Sequence, residues 1–207
     1  MIAMDERPME AMLQAMEIIK AADPEYRVSL AGAFHPELAD ELLDYCIASG
    51  ERMDENTLFS RKQKGYTTTF YTCCVEPRPN TFTQSPYAEA TWLPWHALHK
   101  GYDGYLRWAY NSWNANPLQD TRFGTWAAGD AWLVYPGARS SIRFERLREG
   151  IQDYEKARFI RKKLQEEGEE EVLREFDKAI ALFELDSLDS IPAAETVNRA
   201  KAILNRF

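Results

Sequence analysis

Segments with strand character alternate with segments of helical periodicity along most of the chain, and this alternation limits the possible folds more than any other feature. Runs of β-branched and aromatic residues predict four strands, at residues 26–31, 66–74, 103–108 and 131–135. Apolar residues at helical spacing predict the helices between and after them, at residues 38–50, 86–100 and 142–163. Strands joined in this way are parallel, because the chain crosses over before each new strand. The sequence therefore predicts an α/β fold with parallel strands and crossover helices, as in half of a (β/α)8 TIM-type barrel.

Helices are also predicted before and after the alternating segments. Apolar residues recur at helical spacing over residues 9–19, and the Asp23-Pro24 pair should end this helix. Pro94 should kink or break the helix that contains it. Two more helices are predicted near the C-terminus, at residues 172–183 and 192–206. We therefore expect two parts, a partial barrel over residues 1–165 and a C-terminal helical extension over residues 166–207.

Composition and missing motifs argue against several kinds of protein. The net charge of −8 argues against a nucleic-acid partner, and no apolar run approaches the ~20 residues of a membrane span. A short doubly wound sheet is the alternative to a barrel, but the chain has no glycine-rich phosphate loop to support a nucleotide site. The three cysteines do not have the spacing of a disulfide framework or a zinc site, and His96 and His99 have no third ligand at suitable spacing. We predict no metal and no cofactor.

The stretch from Gly101 to Trp126 is rich in large aromatic and hydrogen-bonding side chains. They are Arg107, Trp108, Tyr110, Asn111, Trp113, Asn114, Asn116 and Trp126. Flat aromatic faces beside hydrogen-bonding groups suit a sugar ring, which is apolar on one face and surrounded by hydroxyls. A long loop held in place by large aromatic residues is the other interpretation, and composition leaves both open.

Two neighbouring carboxylates, Asp5 and Glu6, precede the first predicted helix. As acidic residues near a helix N-terminus they would be stabilised by the helix dipole, which requires no further function. As a functional pair at a strand end they could both reach one sugar, one as proton donor and one orienting a substrate group. His35 follows the first predicted strand and could bind a hydroxyl, although a structural role in the loop explains it equally well.

Seven runs spread over residues 1–165 carry a resemblance to a known family. They are DERP (5–8), YTCC (71–74), GYLRWAYNSW (104–113), WAAGD (126–130), YPG (135–137), SSIRFERL (140–147) and GIQDYEK (150–156). Together they resemble the catalytic domain of glycoside hydrolase family 123. The resemblance implies a β-N-acetylgalactosaminidase on a (β/α)8 barrel that uses substrate-assisted retaining catalysis. In that mechanism the 2-acetamido oxygen of the substrate attacks the anomeric carbon and forms an oxazoline-type intermediate.

The same resemblance implies roles for individual residues. Glu6 would be the general acid/base, and Asp5 would orient and stabilise the acetamido group. Position in the barrel, at strand ends and in the aromatic stretch, indicates the sugar contacts, which would be His35, Tyr71, Arg107, Trp108, Tyr110, Asn111 and Trp113. The expected partner is thus a carbohydrate substrate.

The chain departs from the family in where it begins, because family members have barrel strands before the Asp-Glu pair. The resemblance therefore implies the C-terminal half of the catalytic domain. Half a barrel leaves sheet edges uncovered, so we expect self-association or pairing with a missing N-terminal half, and little hydrolase activity from the chain alone. A non-catalytic sugar-binding module and an assembly protein are the competing interpretations. The start of this chain lacks signal-peptide features, and the compartment stays open, with a secreted or periplasmic parent enzyme as one expectation.

Overall fold

The chain folds into two compact units. The structure is a computed structural model that describes residues 2–207; Met1, the first residue of the apolar start, lies outside the described residues. The first unit consists of Met1–Tyr71 with Gly101–Leu106, and the second of Thr72–Lys100 with Arg107–Phe207. The boundary expected at residue 165 falls inside a helix of the second unit, and the division into a partial barrel and a helical extension stays a prediction.

A sheet of five parallel strands forms the centre of the first unit. The strands are β1 (Ile2–Met4), β2 (Val28–Gly32), β3 (Asp44–Ala48), β4 (Thr67–Thr72) and β5 (Gly104–Arg107). They stand in the sheet in the same order as in the chain. Met4 pairs with Leu30, and Leu30 pairs in turn with Tyr45, which fixes the register of the first three strands. The predicted α/β fold with parallel strands is confirmed, and β1 adds a strand where the sequence indicated only a short apolar start.

The segment after Leu38 forms a strand and not the predicted helix. A 3₁₀ turn covers Pro36–Leu38, and β3 follows it. The apolar spacing matched a helix, but residues 45–47 are buried without interruption, as expected for a strand that is covered on both faces. A short apolar run cannot distinguish the two structures by spacing alone, and pairing with β2 and β4 decides for the strand.

Residues 131–135 are also not the strand that their apolar character predicted. They form a bent segment with two isolated bridges, from Asn111 to Trp132 and from Tyr135 to Arg139. The first three residues of the segment are fully buried. Its apolar sequence therefore reflects packing within the second unit and not a ladder of backbone hydrogen bonds.

Two helices belong to the first unit. Helix α1 (Met9–Ala22) confirms the first predicted helix and buries two methionines. Helix α2 (Glu55–Gln63) lies in a polar stretch whose structure could not be assigned from the sequence. Its N-cap is Asp54, whose side chain accepts a hydrogen bond from the Thr57 amide at 3.0 Å and so satisfies an amide of the first turn.

The second unit contains four helices, and they confirm the remaining helix predictions. They are α3 (Tyr87–Lys100), α4 (Ile142–Glu167), α5 (Glu170–Ile180) and α6 (Ala193–Leu204). Aromatic rings pack between them, and Trp95 stacks on Phe183 with 5.2 Å between ring centroids. Helix α3 continues unbroken through Pro94. At Gly150 a Cβ atom would lie 2.5 Å from the Thr91 carbonyl oxygen, so α3 and α4 can meet this closely only because position 150 has no side chain.

Candidate active site

A pocket of about 230 Å³ opens in the first unit, at the carboxyl ends of strands β1 to β4. Its lining residues are Glu6, Arg7, Met12, Leu30, Gly32, Ala33, His35, Ala48 and Tyr71. Because parallel strands end at the same edge of a sheet, residues that are distant in sequence meet here. The pocket brings together three of the residues that were predicted from the sequence, which are Glu6, His35 and Tyr71.

Asp5 and Glu6 directly follow strand β1 and do not open helix α1, which begins at Met9. The Glu6 amide donates a hydrogen bond to Asp5 Oδ1 at 2.9 Å, and the Arg7 guanidinium donates to the Glu6 carbonyl at 2.7 Å. These contacts orient the backbone of the pair, while both carboxylates remain exposed to solvent. The pair therefore lies at a strand end, beside the pocket. A functional pair must have this position, whereas an acidic pair that only stabilises a helix N-terminus need not.

The Glu6 carboxylate is held by a tyrosine. The Tyr71 hydroxyl donates a hydrogen bond to Glu6 Oε1, and Tyr71 is itself buried in β4, so the donor is fixed. Gly32 ends β2 next to Glu6, and a Cβ atom there would lie 3.5 Å from Glu6 Cγ. A carboxylate has about four lone-pair sites, so Glu6 can accept further hydrogen bonds or hold a proton for a ligand in the pocket.

His35 is held in the pocket wall through its backbone. The Tyr45 hydroxyl accepts a hydrogen bond from the His35 amide at 2.7 Å and donates one to the Ala33 carbonyl at 2.7 Å. Burial raises the pKa of Tyr45, so its hydroxyl stays protonated and serves as donor and acceptor together. Sequence reasoning missed Tyr45 because its spacing was assigned to a helix. The useful signal was that a tyrosine inside an apolar run needs a partner for its hydroxyl.

The aromatic stretch lies mostly in the second unit, where its charged groups are bound internally. The Arg107 side chain is 4% exposed, and its guanidinium donates to the Thr72 carbonyl at 2.9 Å and to the buried Asp130. Trp108 Nε1 donates to the same Asp130 carboxylate at 3.0 Å. The ion pair therefore fixes the Trp108 indole, and direct contact of Arg107 with a sugar stays a prediction.

Aromatic side chains of this stretch expose part of their ring surface. Trp108, Tyr110 and Trp113 are between 37% and 46% exposed. Trp113 Nε1 donates to a backbone carbonyl at 2.8 Å, and the Tyr110 ring packs edge-on against Phe144 with 5.8 Å between centroids. Asn111 is exposed and forms its bridge through the backbone. A ligand that binds here would therefore meet ring faces whose orientation is already fixed.

The remaining histidines and cysteines form no metal centre in the described part of the chain. Within residues 2–207, no group of three or more His, Cys, Asp and Glu side chains is placed to hold a metal ion. His96 Nδ1 lies 2.6 Å from the Phe183 carbonyl oxygen, and His99 Nε2 lies 2.9 Å from Glu184. The cysteines are free thiols, at positions 46, 73 and 74. Over the same residues, no helix combines the length and the apolar character needed to cross a membrane.

Comparison with protein families identifies the chain. The model of the glycoside hydrolase 123 catalytic domain matches residues 1–160, which is most of the sequence. The chain belongs to glycoside hydrolase family 123. The resemblance carried by its motifs is confirmed.

A solved structure has a similar fold. It is a family 123 glycoside hydrolase from Clostridium perfringens, from a structural study of glycolipid glycan hydrolysis, and it is 24% identical with a TM-score of 0.80. The match covers 99% of this chain and 40% of that one, so the chain spans 40% of the length of this structural relative. At this identity the similarity concerns the fold alone. No curated protein matches the chain.

Proposed function

We propose that the chain is the acid/base portion of a hydrolase that removes terminal β-linked N-acetylgalactosamine from glycans. Membership of a glycoside hydrolase family supports a carbohydrate substrate. The observation that carries the proposal is the Glu6 carboxylate, which lines an open pocket at the strand ends, accepts a hydrogen bond from Tyr71 and has Asp5 beside it. Two neighbouring carboxyls of this kind suit acid/base work on one sugar.

The proposed reaction is substrate-assisted and retaining. The 2-acetamido oxygen attacks C1 while the Glu6 carboxyl gives its proton to the glycosidic oxygen, and the bond to the leaving group breaks. The intermediate is an oxazolinium-type ring that keeps its N–H. Water then attacks C1 of this ring and gives a proton to the Glu6 carboxylate, while the bond between C1 and the acetamido oxygen breaks and the acetamido group is restored. The Asp5 carboxylate accepts a hydrogen bond from the acetamido N–H and turns the acetamido oxygen toward C1. This route needs no protein nucleophile.

The proposed sugar contacts differ in their support. In the Glu6 pocket, His35 and Tyr71 line the wall and can bind hydroxyl or acetamido groups. In the aromatic stretch, the exposed ring faces favour stacking on a sugar, and the residues proposed are Trp108, Tyr110, Asn111 and Trp113. Arg107 contributes by holding the Trp108 indole through Asp130.

We also propose that the sheet is part of a (β/α)8 barrel. Parallel strands that follow each other in chain order are the arrangement of such a barrel. Within the described residues, β1 and β5 end the strand order, and edge strands can pair with another chain. Self-association or an N-terminal barrel portion would cover these edges.

Replacing Glu6 tests the acid/base assignment. The assay uses an intact family member that carries these residues, because little hydrolysis is expected from this chain alone. It compares two aryl β-N-acetylgalactosaminides, one with a good and one with a poor leaving group. Glu6→Gln should slow hydrolysis of the poor leaving group by roughly 100- to 10,000-fold, because this bond needs protonation to break, and should slow the other substrate much less. Glu10→Gln is the matched control, since Glu10 is an exposed carboxylate in the first turn of α1. Unchanged turnover of the poor leaving group by Glu6→Gln would contradict the assignment.

A non-catalytic sugar-binding module is the competing function. The observation that favours it is the set of exposed ring faces at Trp108 and Trp113, whose indole N–H groups are bound internally and which could stack on a sugar without any carboxylate. Calorimetry with N-acetylgalactosamine separates the two functions. Binding without hydrolysis of either aryl glycoside, even when an N-terminal barrel portion is supplied, would favour the module, and absence of both would contradict both proposals.

A further inference from the structure

Tyr45 joins two parts of the first unit that the chain separates. It pairs with Leu30 in the sheet, it is 1% exposed, and its ring lies 6.0 Å from the Phe34 ring, measured between centroids. Its hydroxyl reaches the loop that follows β2 and binds that loop at two points, the Ala33 carbonyl and the His35 amide, each at 2.7 Å. Both of these loop residues line the Glu6 pocket.

The opposite side of the Tyr45 side chain is also fixed. The Arg61 guanidinium carbon lies 5.7 Å from the centre of the Tyr45 ring, within the range of a cation–π contact. Arg61 is completely buried and donates to several backbone carbonyls at the amino ends of β3 and β4. The Tyr45 ring therefore packs against a guanidinium group that is itself held by hydrogen bonds. This contact restricts the movement of the ring and of its hydroxyl.

We propose that Tyr45 is a positioning residue of the pocket, whose buried hydroxyl holds the loop of residues 33–35 in the conformation that keeps His35 in the pocket wall. The reason is that the hydroxyl satisfies one donor and one acceptor of the loop backbone at once. Without it, the His35 amide and the Ala33 carbonyl would seek water, and the loop would gain alternative conformations. The inference rests on the proposed function insofar as the pocket is taken to bind a sugar.

The test uses the 207-residue chain with Tyr45→Phe, which removes the hydroxyl and keeps the ring. Tyr66→Phe is the matched control, because the Tyr66 ring also faces Arg61, at 5.5 Å, while Tyr66 is not part of the loop or the pocket. The first readout is nuclear magnetic resonance of the three histidines, with the His35 signals assigned by their loss in His35→Gln. Tyr45→Phe should shift or broaden the His35 amide and imidazole signals and leave those of the other two histidines unchanged. Unchanged His35 signals would overturn the inference.

The second readout is the affinity for N-acetylgalactosamine, measured by calorimetry. Loss of one internal hydrogen bond with its loop constraint should weaken binding about three- to tenfold in Tyr45→Phe and not in Tyr66→Phe. In a His35→Ala background, Tyr45→Phe should cause no further loss, because the residue that it positions is gone. A purely structural role would give the same loss in both backgrounds, and that result would also overturn the inference.

The two proposals fail in different ways. If the unaltered chain does not bind the sugar, the proposed function is contradicted, while a response of the His35 signals to Tyr45→Phe still supports the positioning role. If Tyr45→Phe does not fold, amide hydrogen exchange in the unaltered chain decides. The His35 amide should then exchange as slowly as amides of β2, and exchange at the rate of a free amide would overturn the inference.

Discussion

Arg61 and Glu6 lie at opposite edges of the same parallel sheet, Arg61 at the amino ends of strands and Glu6 at a carboxyl end, and their surroundings differ in kind. Arg61 is completely buried, and its guanidinium donates to Thr68 Oγ1 at 2.9 Å and to backbone carbonyls that include Leu42 at 2.8 Å and Thr67 at 2.7 Å. These partners surround the amino ends of β3 and β4. Glu6, after the carboxyl end of β1, is exposed and accepts a hydrogen bond from the Tyr71 hydroxyl.

The difference separates a stabilising group from one that is available to a ligand. Every contact of Arg61 is made inside the protein, so the residue joins α2 to two strands and has nothing left to offer a substrate. Glu6 is exposed and lines the pocket, so its carboxylate can accept further hydrogen bonds from a bound molecule. In parallel α/β folds, loops at the carboxyl ends of the strands usually contain the catalytic and binding residues, whereas residues at the amino ends contribute to stability.

The largest expected effect is a loss of stability when Arg61, at the amino ends of β3 and β4, is replaced. Arg61→Leu removes the donors for several buried carbonyls and should lower the free energy of unfolding by about 3–5 kcal/mol. Urea unfolding monitored by circular dichroism measures this fall in the free energy of unfolding. Lys62→Leu, at the next position of α2 but exposed, should stay within about 0.5 kcal/mol of the unaltered chain. If the two variants lost similar amounts of unfolding free energy, the hydrogen bonds of the buried Arg61 would not be what stabilises the protein.

A smaller effect on activity and stability is expected when Tyr71, at the carboxyl end of β4, is replaced. Tyr71→Phe removes the donor that fixes Glu6 Oε1, so the carboxylate can adopt other rotamers. In an intact family member that carries these residues, we expect hydrolysis of an aryl β-N-acetylgalactosaminide to fall about tenfold, and in this chain we expect the free energy of unfolding to fall by only about 1 kcal/mol. Tyr26→Phe, at an exposed tyrosine before β2, is the control. A variant that loses several kcal/mol while keeping its activity would show that Tyr71 stabilises the fold and does not orient Glu6.

The smallest effect concerns the start of α2, at the other end of the helix from Arg61. The Thr57 hydroxyl and amide donate to the Asp54 carboxylate at 2.6 and 3.0 Å and lower the pKa of Asp54. Because the pKa is lower in the folded chain, the ionised carboxylate stabilises the helix above the unfolded pKa of about 3.9, and this contribution disappears as the pH falls through the folded value.

Comparison with Asp54→Asn isolates this contribution, since asparagine can cap the helix but does not ionise. Thermal unfolding midpoints should favour the unaltered chain near pH 6, and the advantage should shrink progressively below pH 4. The same difference at pH 6 and pH 3 would mean that ionisation of Asp54 does not contribute.

Local patterns predicted the elements whose character is complete within a few residues. The run of residues 66–74 is β-branched and aromatic, and β4 lies within it. The apolar spacing of residues 9–19 predicted α1. In contrast, residues 131–135 are apolar because they are buried, and 38–46 have helical spacing by coincidence, since burial leaves the same signal in strands, helices and bent segments.

In the candidate site, too, the sequence predicted some features and not others. The Asp5-Glu6 pair was recognisable as a motif, and its position after a strand confirms that it does not open a helix. The contacts that hold the site could not be predicted, because they join residues far apart in sequence, such as Tyr71 with Glu6 and Tyr45 with His35.

The sequence by itself determined the α/β fold class with parallel strands and, through its motifs, membership of glycoside hydrolase family 123. Only the tertiary structure decided which side chains share the pocket, and that the buried Tyr45 hydroxyl binds the backbone of the loop that carries His35. The physical reason is that periodicity and composition record whether a residue is buried, whereas a hydrogen-bond partner depends on which strands pair and in which register. Once β1 to β4 are in register, residues 6, 35 and 71 meet at one edge of the sheet.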